Sequence, residues 1–158
     1  MTLVLTLVLP EALRTRIEEE GLEAYPDECC GLVEGRHEGG RAFALALHPA
    51  RNLARAPGRF EIHPEDHFAA LKRARDAGHA LIGCYHSHPN GRPWPSVADR
   101  EGAGEDGFLW LIAAIDGANG PVTLNAFAYS APSADFSQAA LLSEDAPDKL
   151  APGNRSRV

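Results

Sequence analysis

The hydrophobic positions of this chain change their period along its length, and the changes mark predicted helices and strands. Residues 2–9 are rich in leucine and valine and end at Pro10, which predicts a strand followed by a helix that begins at the proline. In that helix apolar residues recur at helical spacing, and acidic residues occupy the other side. The same spacing predicts a second helix that begins at Pro64 and ends at Gly78.

Further strands are predicted where short apolar or alternating runs lie between turn residues. Residues 42–47 alternate large and small apolar side chains and form a hairpin with the apolar run before them. Residues 80–88 form a longer run that predicts a buried strand. The predicted strands after the first are 30–34, 42–47, 59–62, 80–88, 108–115 and 122–129, with a candidate final strand at 135–142.

A proline-rich loop separates the strand at 80–88 from a third predicted helix. Residues 89–95 contain three prolines and a glycine, so they cannot continue a sheet. Ser96 then begins a helix, and Asp99 lies three residues further on. Ser96 fits the role of a helix N-cap, and Asp99 fits that of an acid in the first helical turn.

Two histidines at the end of the strand 80–88 are the first candidates for chemistry. His86 and His88 are separated by one residue, and side chains alternate faces along a strand, so both imidazoles point the same way. Asp99 can supply a third ligand. Three protein ligands with one position left to water are typical of catalytic zinc. We therefore predict one Zn²⁺ per chain, which lowers the pKa of a bound water to about 7.

The spacing of these residues resembles the motif of the JAMM (MPN-plus) zinc metalloprotease family. The sequence H-x-H-P at 86–89, followed by S-x-x-D at 96–99, matches that motif. Residues 26–32 resemble the P-x-E-x-C-G-L element of the family, with Glu28 as its glutamate. Residues 59–66 are similar to the R-F-x-I-x-P-x-D stretch of small bacterial and archaeal members. The resemblance covers residues 1 to about 130.

The resemblance implies a fold and domain limits. The expected fold is α/β of the JAMM/MPN type, which is cytidine-deaminase-like, with a curved, mixed, mainly antiparallel sheet flanked by helices. Zinc is expected at one edge of this sheet. We expect a single metallopeptidase domain over residues 1–142 and a flexible, polar C-terminal tail over residues 143–158.

The resemblance also implies roles for two further residues. Glu28 is the expected general acid/base, which takes a proton from the attacking water and passes it to the leaving amine. The hydroxyl of Ser96 is expected to stabilise the oxyanion. The implied function is that of a zinc-dependent peptidase or isopeptidase. It hydrolyses the bond after the C-terminal tail, Gly-Gly, of a ubiquitin-like or sulfur-carrier protein.

Two other functions compete with this interpretation. The chain could be a non-catalytic interaction module of the same fold, although it keeps every residue of the motif. It could also be a cysteine hydrolase that uses Cys84 with His86. Cys84 fits a fourth metal ligand or a small buried thiol, and the buried thiol is the simpler explanation. Cys29 and Cys30 are expected in the core.

Several residues near the motif have two interpretations each. Trp94 either lines a substrate groove or anchors the proline-rich loop. His63 and His67 fit surface positions better than a metal site, because Pro64 opens the helix between them. A basic cluster in one segment is either a surface for an acidic partner or a solvated loop. Its members are Arg51, Arg55 and Arg59.

The composition narrows the class of protein. The 158 residues suffice for one domain, and 44% of them are hydrophobic. The net charge of −7 argues against a nucleic-acid partner. Three cysteines give no disulfide framework, and the apolar N-terminus is too short for a membrane span and lacks the pattern of a signal peptide. We therefore expect a cytoplasmic protein without a nucleic-acid or membrane partner; the sequence assigns no oligomeric state.

Overall fold

The computed structural model describes residues 6–54, 56 and 58–144. Its strands are β1 (Thr6–Val8), β2 (Cys30–Glu38), β3 (Arg41–Ala50), β4 (Ala80–His88), β5 (Leu109–Ile115), β6 (Val122–Ser130) and β7 (Asp135–Leu142). Its helices are α1 (Glu11–Ala24), α2 (Pro64–Asp76) and α3 (Val97–Gly102). Most predicted elements are confirmed, including the final strand. Residues 2–5 of the first predicted strand, and the predicted tail apart from residues 143 and 144, lie outside the described residues.

The strands form one closed sheet in the order β1-β3-β2-β4-β5-β6-β7. The short strand β1 closes the ring, because it pairs in parallel with both β3 and β7. β4 and β5 are also parallel, and the remaining neighbours are antiparallel. The mixed, mainly antiparallel character of the sheet is therefore as predicted. The prediction of a curved sheet flanked by helices, with zinc at one edge, is corrected in one respect: the sheet is closed, because β1 pairs with both β3 and β7.

The two faces of the closed sheet carry separate apolar clusters. The inner cluster draws residues from all seven strands and from α1, whose Ile17 is fully buried. The outer cluster lies under α2 and the loops that flank it, and Trp110 is one of its larger members. Since side chains alternate along β4, Tyr85 lies inside and His86 lies outside.

The predicted strand at 59–62 was wrong. In the structure this segment makes a single bridge, between Asn52 and Ile62. The segment bonds instead to the chain just after β3, with Leu53 donating to the carbonyl of Glu61 over 2.8 Å and His63 donating to that of Arg51 over 3.0 Å. Residues 52–54 and 58–62 therefore belong to a loop that folds back on itself and passes over the outer face of the sheet.

No helix among the described residues is both long and apolar enough to cross a membrane.

Strand β2 bends at Gly35, and the bend requires a glycine. Its pairing with β3 shifts register between Glu34 and Gly35. A Cβ atom at Gly35 would lie 2.0 Å from the carbonyl oxygen of Phe43 and 2.6 Å from Cδ1 of Ile82. The carbonyl oxygen of Phe43 is a backbone atom, so it could make room for this Cβ only if strand β3 moved.

Gly35→Ala should therefore destabilise the fold by about 1–3 kcal/mol, which is the usual cost of overpacking a core. The measurement is chemical denaturation followed by circular dichroism. Gly40→Ala is the matched control, because a Cβ there meets no atom within 4 Å and the residue has no positive φ. Its effect should stay within about 0.5 kcal/mol. Equal stability of the two variants would contradict the role given to Gly35.

Candidate metal centre

The three predicted metal ligands meet at the carboxyl end of β4, on the outer face of the sheet. His86 is fully buried, and His88 and Asp99 are almost so. The Nε2 atoms of the two histidines lie 2.9 Å apart. Oδ1 of Asp99 lies 3.1 Å from Nε2 of His86, and Oδ2 lies 3.1 Å from Nε2 of His88. The structure thus brings the three side chains together, with four ligand atoms around one point.

The hydrogen bonds of His88 show that this point favours a cation. Its Nδ1 lies 2.8 Å from the carbonyl oxygen of Arg92, which can only accept, so Nδ1 must donate. In the neutral ring Nε2 is then a bare lone pair that faces the carboxylate of Asp99. Burial opposes charge on His88, but its bonds to Asp99 and Arg92 outweigh burial and raise its pKa. Without a metal, a proton must lie between Nε2 and the carboxylate.

Asp99 is held rigidly at the start of α3. The hydroxyl of Ser96 accepts from the amide of Asp99 over 3.0 Å, and the carboxylate of Asp99 accepts from the amide of Ser96 over 2.8 Å. This reciprocal pair is the predicted capping box. Burial acts to raise the pKa of Asp99, but bonds from His86 and His88 outweigh it and hold the pKa well below its usual range. The carboxylate is therefore ionised and available to a cation.

Glu28 lies beside these ligands, between the end of α1 and the start of β2. Its side chain is 8% exposed, and one ligand atom each from Glu28, His86 and His88 lie within 4.8 Å of one another. Its Oε2 is buried and has no hydrogen-bond partner within the described part of the chain. Burial raises the pKa of Glu28 to about 7, with His88 lowering it and Asp99 raising it further. A carboxyl with this pKa can both take and return a proton near neutral pH.

Comparisons with known proteins identify the family of this chain. Residues 10–128 match the family model described as prokaryotic homologs of the JAB domain. The chain belongs to this family. A Haloferax volcanii protein named desampylase is 38% identical over 93 residues, which are 58% of this chain and 66% of that protein. A Thermus thermophilus protein named as a probable TtuB-protein conjugate cleaving protease is 33% identical over 96 residues, which are 60% of this chain and 62% of that protein.

The JAB domain also shares its fold with solved structures. The solution structure of a Desulfitobacterium hafniense protein matches with a TM-score of 0.78 at 23% identity, over 89% of this chain and 94% of that one. At this identity the match shows the fold alone. The sequence matches to the Haloferax and Thermus proteins span less than two-thirds of either relative's full length.

Two grooves in this JAB domain open beside the ligands. One, of about 910 Å³, runs over the outer cluster between α2 and α3 and has Asp99 in its wall. The other, of about 850 Å³, is lined by Glu28, His88 and Ser96. Arg59 lines both. Asp99 and His88 therefore lie between two open grooves.

The cysteines lie outside the candidate centre. Cys84 is buried in the outer cluster with Trp110, and burial raises its pKa well above the usual value. Its thiol is therefore protonated at neutral pH, which disfavours the cysteine-hydrolase alternative. Burial also raises the pKa of Cys29 to about 11 and that of Cys30 to about 12. All three thiols are free.

The sequence also singled out His63, Trp94 and the basic cluster, which are not among the metal ligands predicted in this JAB domain. His63 caps α2, and its Nδ1 accepts from the amide of Glu65 over 3.1 Å. Trp94 is 58% exposed and lines neither groove. Within the basic cluster, Arg51 pairs with Glu65 and Asp66 at the start of α2, and Arg55 lies outside the described residues.

Three residues that contact the candidate centre had no role predicted from the sequence. Ser87 accepts from the amide of Cys29 over 2.8 Å and so ties the Glu28 segment to β4. Phe60 stacks on the ring of His86, and Trp110 meets the same ring with its edge. The R-F-x-I-x-P-x-D stretch was the available signal for Phe60, but its pattern did not show which side chain Phe60 contacts.

The raised pKa of Glu28 predicts a dependence of stability on pH in the metal-free protein. Because the folded-state pKa lies above the usual 4.5, the favourable contribution of the protonated carboxyl is present below pH 4.5 and is lost as pH rises through about 7. Glu28→Gln cannot lose a proton. Its melting temperature relative to wild type should therefore rise between pH 4.5 and pH 8.

Thermal unfolding of both metal-free proteins across this range measures the effect. Carbon-13 NMR of labelled glutamate carboxyls should in addition show one group that titrates near pH 7 and is missing in Glu28→Gln. A constant difference in melting temperature, with no such resonance, would contradict the assignment.

Proposed function

We propose that this chain is a zinc-dependent peptidase or isopeptidase. It hydrolyses the bond after the C-terminal tail, Gly-Gly, of a ubiquitin-like or sulfur-carrier protein. One observation carries the proposal: Nε2 of His86, Nε2 of His88 and the carboxylate of Asp99 converge beside Oε2 of Glu28, which has no hydrogen-bond partner among the described residues. The names of the Haloferax and Thermus relatives support it, since the Thermus name describes cleavage of protein conjugates. Three free thiols fit action in the reducing cytoplasm.

The residues present fit a zinc ion. His86 and His88 would hold it through Nε2 and Asp99 through its carboxylate, which leaves room for water as in catalytic sites. Burial lowers the pKa of His86, so its ring is neutral at pH 7 and offers a lone pair. When bound, zinc would supply Lewis acidity and a lowered pKa for water.

The protein itself moves the proton and binds the developing charge. Glu28, with a pKa of about 7, takes the proton of the attacking water and passes it to the leaving amine. The hydroxyl of Ser96 accepts from the amide of Asp99, so its own proton remains free to donate to the carbonyl oxygen of the substrate. Ser96 thereby serves as a helix cap and as an oxyanion donor.

The substrate tail lies in a groove rather than along a sheet edge. The described strands form a closed ring, which leaves less open edge on which a tail could add as an extra strand. The two grooves beside the ligands can take an extended tail and the group that follows it. Glycines suit the approach to buried ligands because they have no side chain to collide with the walls.

Two kinds of variant should separate metal binding from chemistry. Asp99→Ala removes a ligand and should bind much less than one zinc per chain, as should His86→Ala or His88→Ala. Glu28→Gln keeps the shape of the side chain but cannot take a proton. It should hold zinc normally and lose at least ~10²-fold in rate, the lower end for a positioned acid/base group.

Zinc is measured by elemental analysis, and folding by circular dichroism. All four variants should stay folded, because the two apolar clusters do not include these side chains. Full zinc in a His86→Ala, His88→Ala double variant would refute the ligand assignment. Full activity in Glu28→Gln with zinc bound would refute the role of Glu28.

The substrate class is tested with fusion proteins. A ubiquitin-like or sulfur-carrier protein fused after Gly-Gly to a short extension should be cleaved at that bond. Replacement of the last glycine by valine should abolish cleavage, since a branched side chain crowds the ligands. The free Gly-Gly peptide with the same extension is the matched control and should be cut far more slowly. Equal rates would show that the folded carrier is not recognised, and wild-type binding without any cleavage would favour the interaction-module alternative.

A further inference from the structure

The two histidines of the candidate centre are supported in different ways. A histidine that binds a metal usually donates from its second ring nitrogen to an oxygen, and this bond fixes the orientation of the ring. His88 has such a partner in the carbonyl of Arg92. The second nitrogen of His86, Nδ1, is buried and has no hydrogen-bond partner among the residues that the structure describes. Among these residues, therefore, no hydrogen bond at Nδ1 fixes the ring plane of His86.

Aromatic packing takes that place. The ring of Phe60 stacks on His86 with 4.2 Å between the ring centroids and 24° between the planes. Trp110 meets His86 with its edge, at 5.9 Å and 88°. The torsion that turns an imidazole about its attachment is broad in isolation. With the ring of Phe60 against its face and the edge of Trp110 beside it, the imidazole of His86 can lie in only one plane.

Phe60 lies on the loop that follows β3, and the side chain of Asn52 bonds the backbone on both sides of it. The amide nitrogen of Asn52 donates to the carbonyl of Arg59 over 3.4 Å, and its oxygen accepts from the amide of Glu61 over 2.9 Å. The residues on both sides of Phe60 are thus bonded to one group.

The same side chain also connects this loop to the segment of the candidate acid/base. The nitrogen of Asn52 donates to the carbonyl of Glu28 over 3.3 Å, and its oxygen accepts from the amide of Ala54 over 2.9 Å. With two bonds at each end, the amide has no capacity left for water. Asn52 therefore fixes the loop relative to both sides of the centre.

We propose that Phe60, held by the side chain of Asn52, is a positioning residue that keeps the ring of His86 in its metal-binding plane. The inference rests on the metal site proposed above. It assigns to an aromatic stack the task that a hydrogen bond performs for His88.

The first test compares two phenylalanines. Phe60→Leu keeps an apolar side chain but removes the flat face. Its zinc dissociation constant, measured by competition with a chelating dye, should rise about 10–100-fold, as on loss of an orienting partner. Phe136→Leu is the matched control. Phe136 belongs to the same cluster and packs on Trp110 with 5.5 Å between ring centroids, but its ring does not contact that of His86. It should bind zinc as wild type does.

A conservative variant separates positioning from bulk. Phe60→Tyr keeps the flat ring and should retain wild-type zinc affinity. If Phe60→Leu, Phe60→Tyr and Phe136→Leu all bind zinc as wild type does, the inference is wrong. If wild type itself binds no zinc, the proposed function is wrong instead, so the two failures are distinguishable.

The second test asks whether Asn52 acts through Phe60. Asn52→Asp keeps both accepting bonds but sets an oxygen against the carbonyls of Glu28 and Arg59. Alone it should weaken zinc binding in the same direction as Phe60→Leu. In the Phe60→Leu background it should add little, since the group it positions is already gone. Fully additive losses would show that Asn52 supports the metal by another route.

Discussion

The register between β2 and β4 is the constraint on which the candidate centre depends. Cys30 lies opposite His86 in the ladder. Beyond it, the amide of Ser87 donates to the carbonyl of Cys29 over 3.2 Å, and its hydroxyl accepts from the amide of Cys29 over 2.8 Å. Because side chains alternate along a strand, a slip by one residue would turn both histidines into the barrel. The same slip would move Glu28 away from them, so one pairing sets both parts of the centre.

The inner core enforces this register from the opposite face of the strand. Tyr85 is fully buried among the inner residues, and its ring lies directly over Gly31. A Cβ at Gly31 would lie 2.3 Å from that ring, so a residue with a side chain in this place would push the strands apart. Packing on one side of β4 thereby determines which residues face the ligand site on the other. Tyr85 therefore helps to fix the position of the candidate centre through the strand register, from the opposite face of β4.

Much of the fold and the chemical groups of the site were predictable from the sequence, because local rules govern both. The helix starts at Pro10 and Pro64 and the common face of His86 and His88 follow from backbone geometry alone. Closure of the sheet was not predictable, since β1 pairs with β7 across more than a hundred residues and is only three residues long. The strand expected at 59–62 failed for a related reason. Its apolar pattern fits a strand, but the side chain of Asn52 takes backbone groups that a ladder would use.

The centre concentrates groups that are unfavourable on their own. Oε2 of Glu28 and Nδ1 of His86 are buried without a hydrogen-bond partner among the described residues, and Nε2 of His88 lies 3.1 Å from Oδ2 of Asp99, where the neutral ring has no proton to donate. Each costs free energy in a protein interior. Their arrangement persists because the strand register, the capping box of α3 and the loop held by Asn52 each fix one side of it. A cation would satisfy Nε2 of His88 and the carboxylate of Asp99, and in the proposed enzyme the Glu28 carboxyl would then be free to exchange a proton with a substrate.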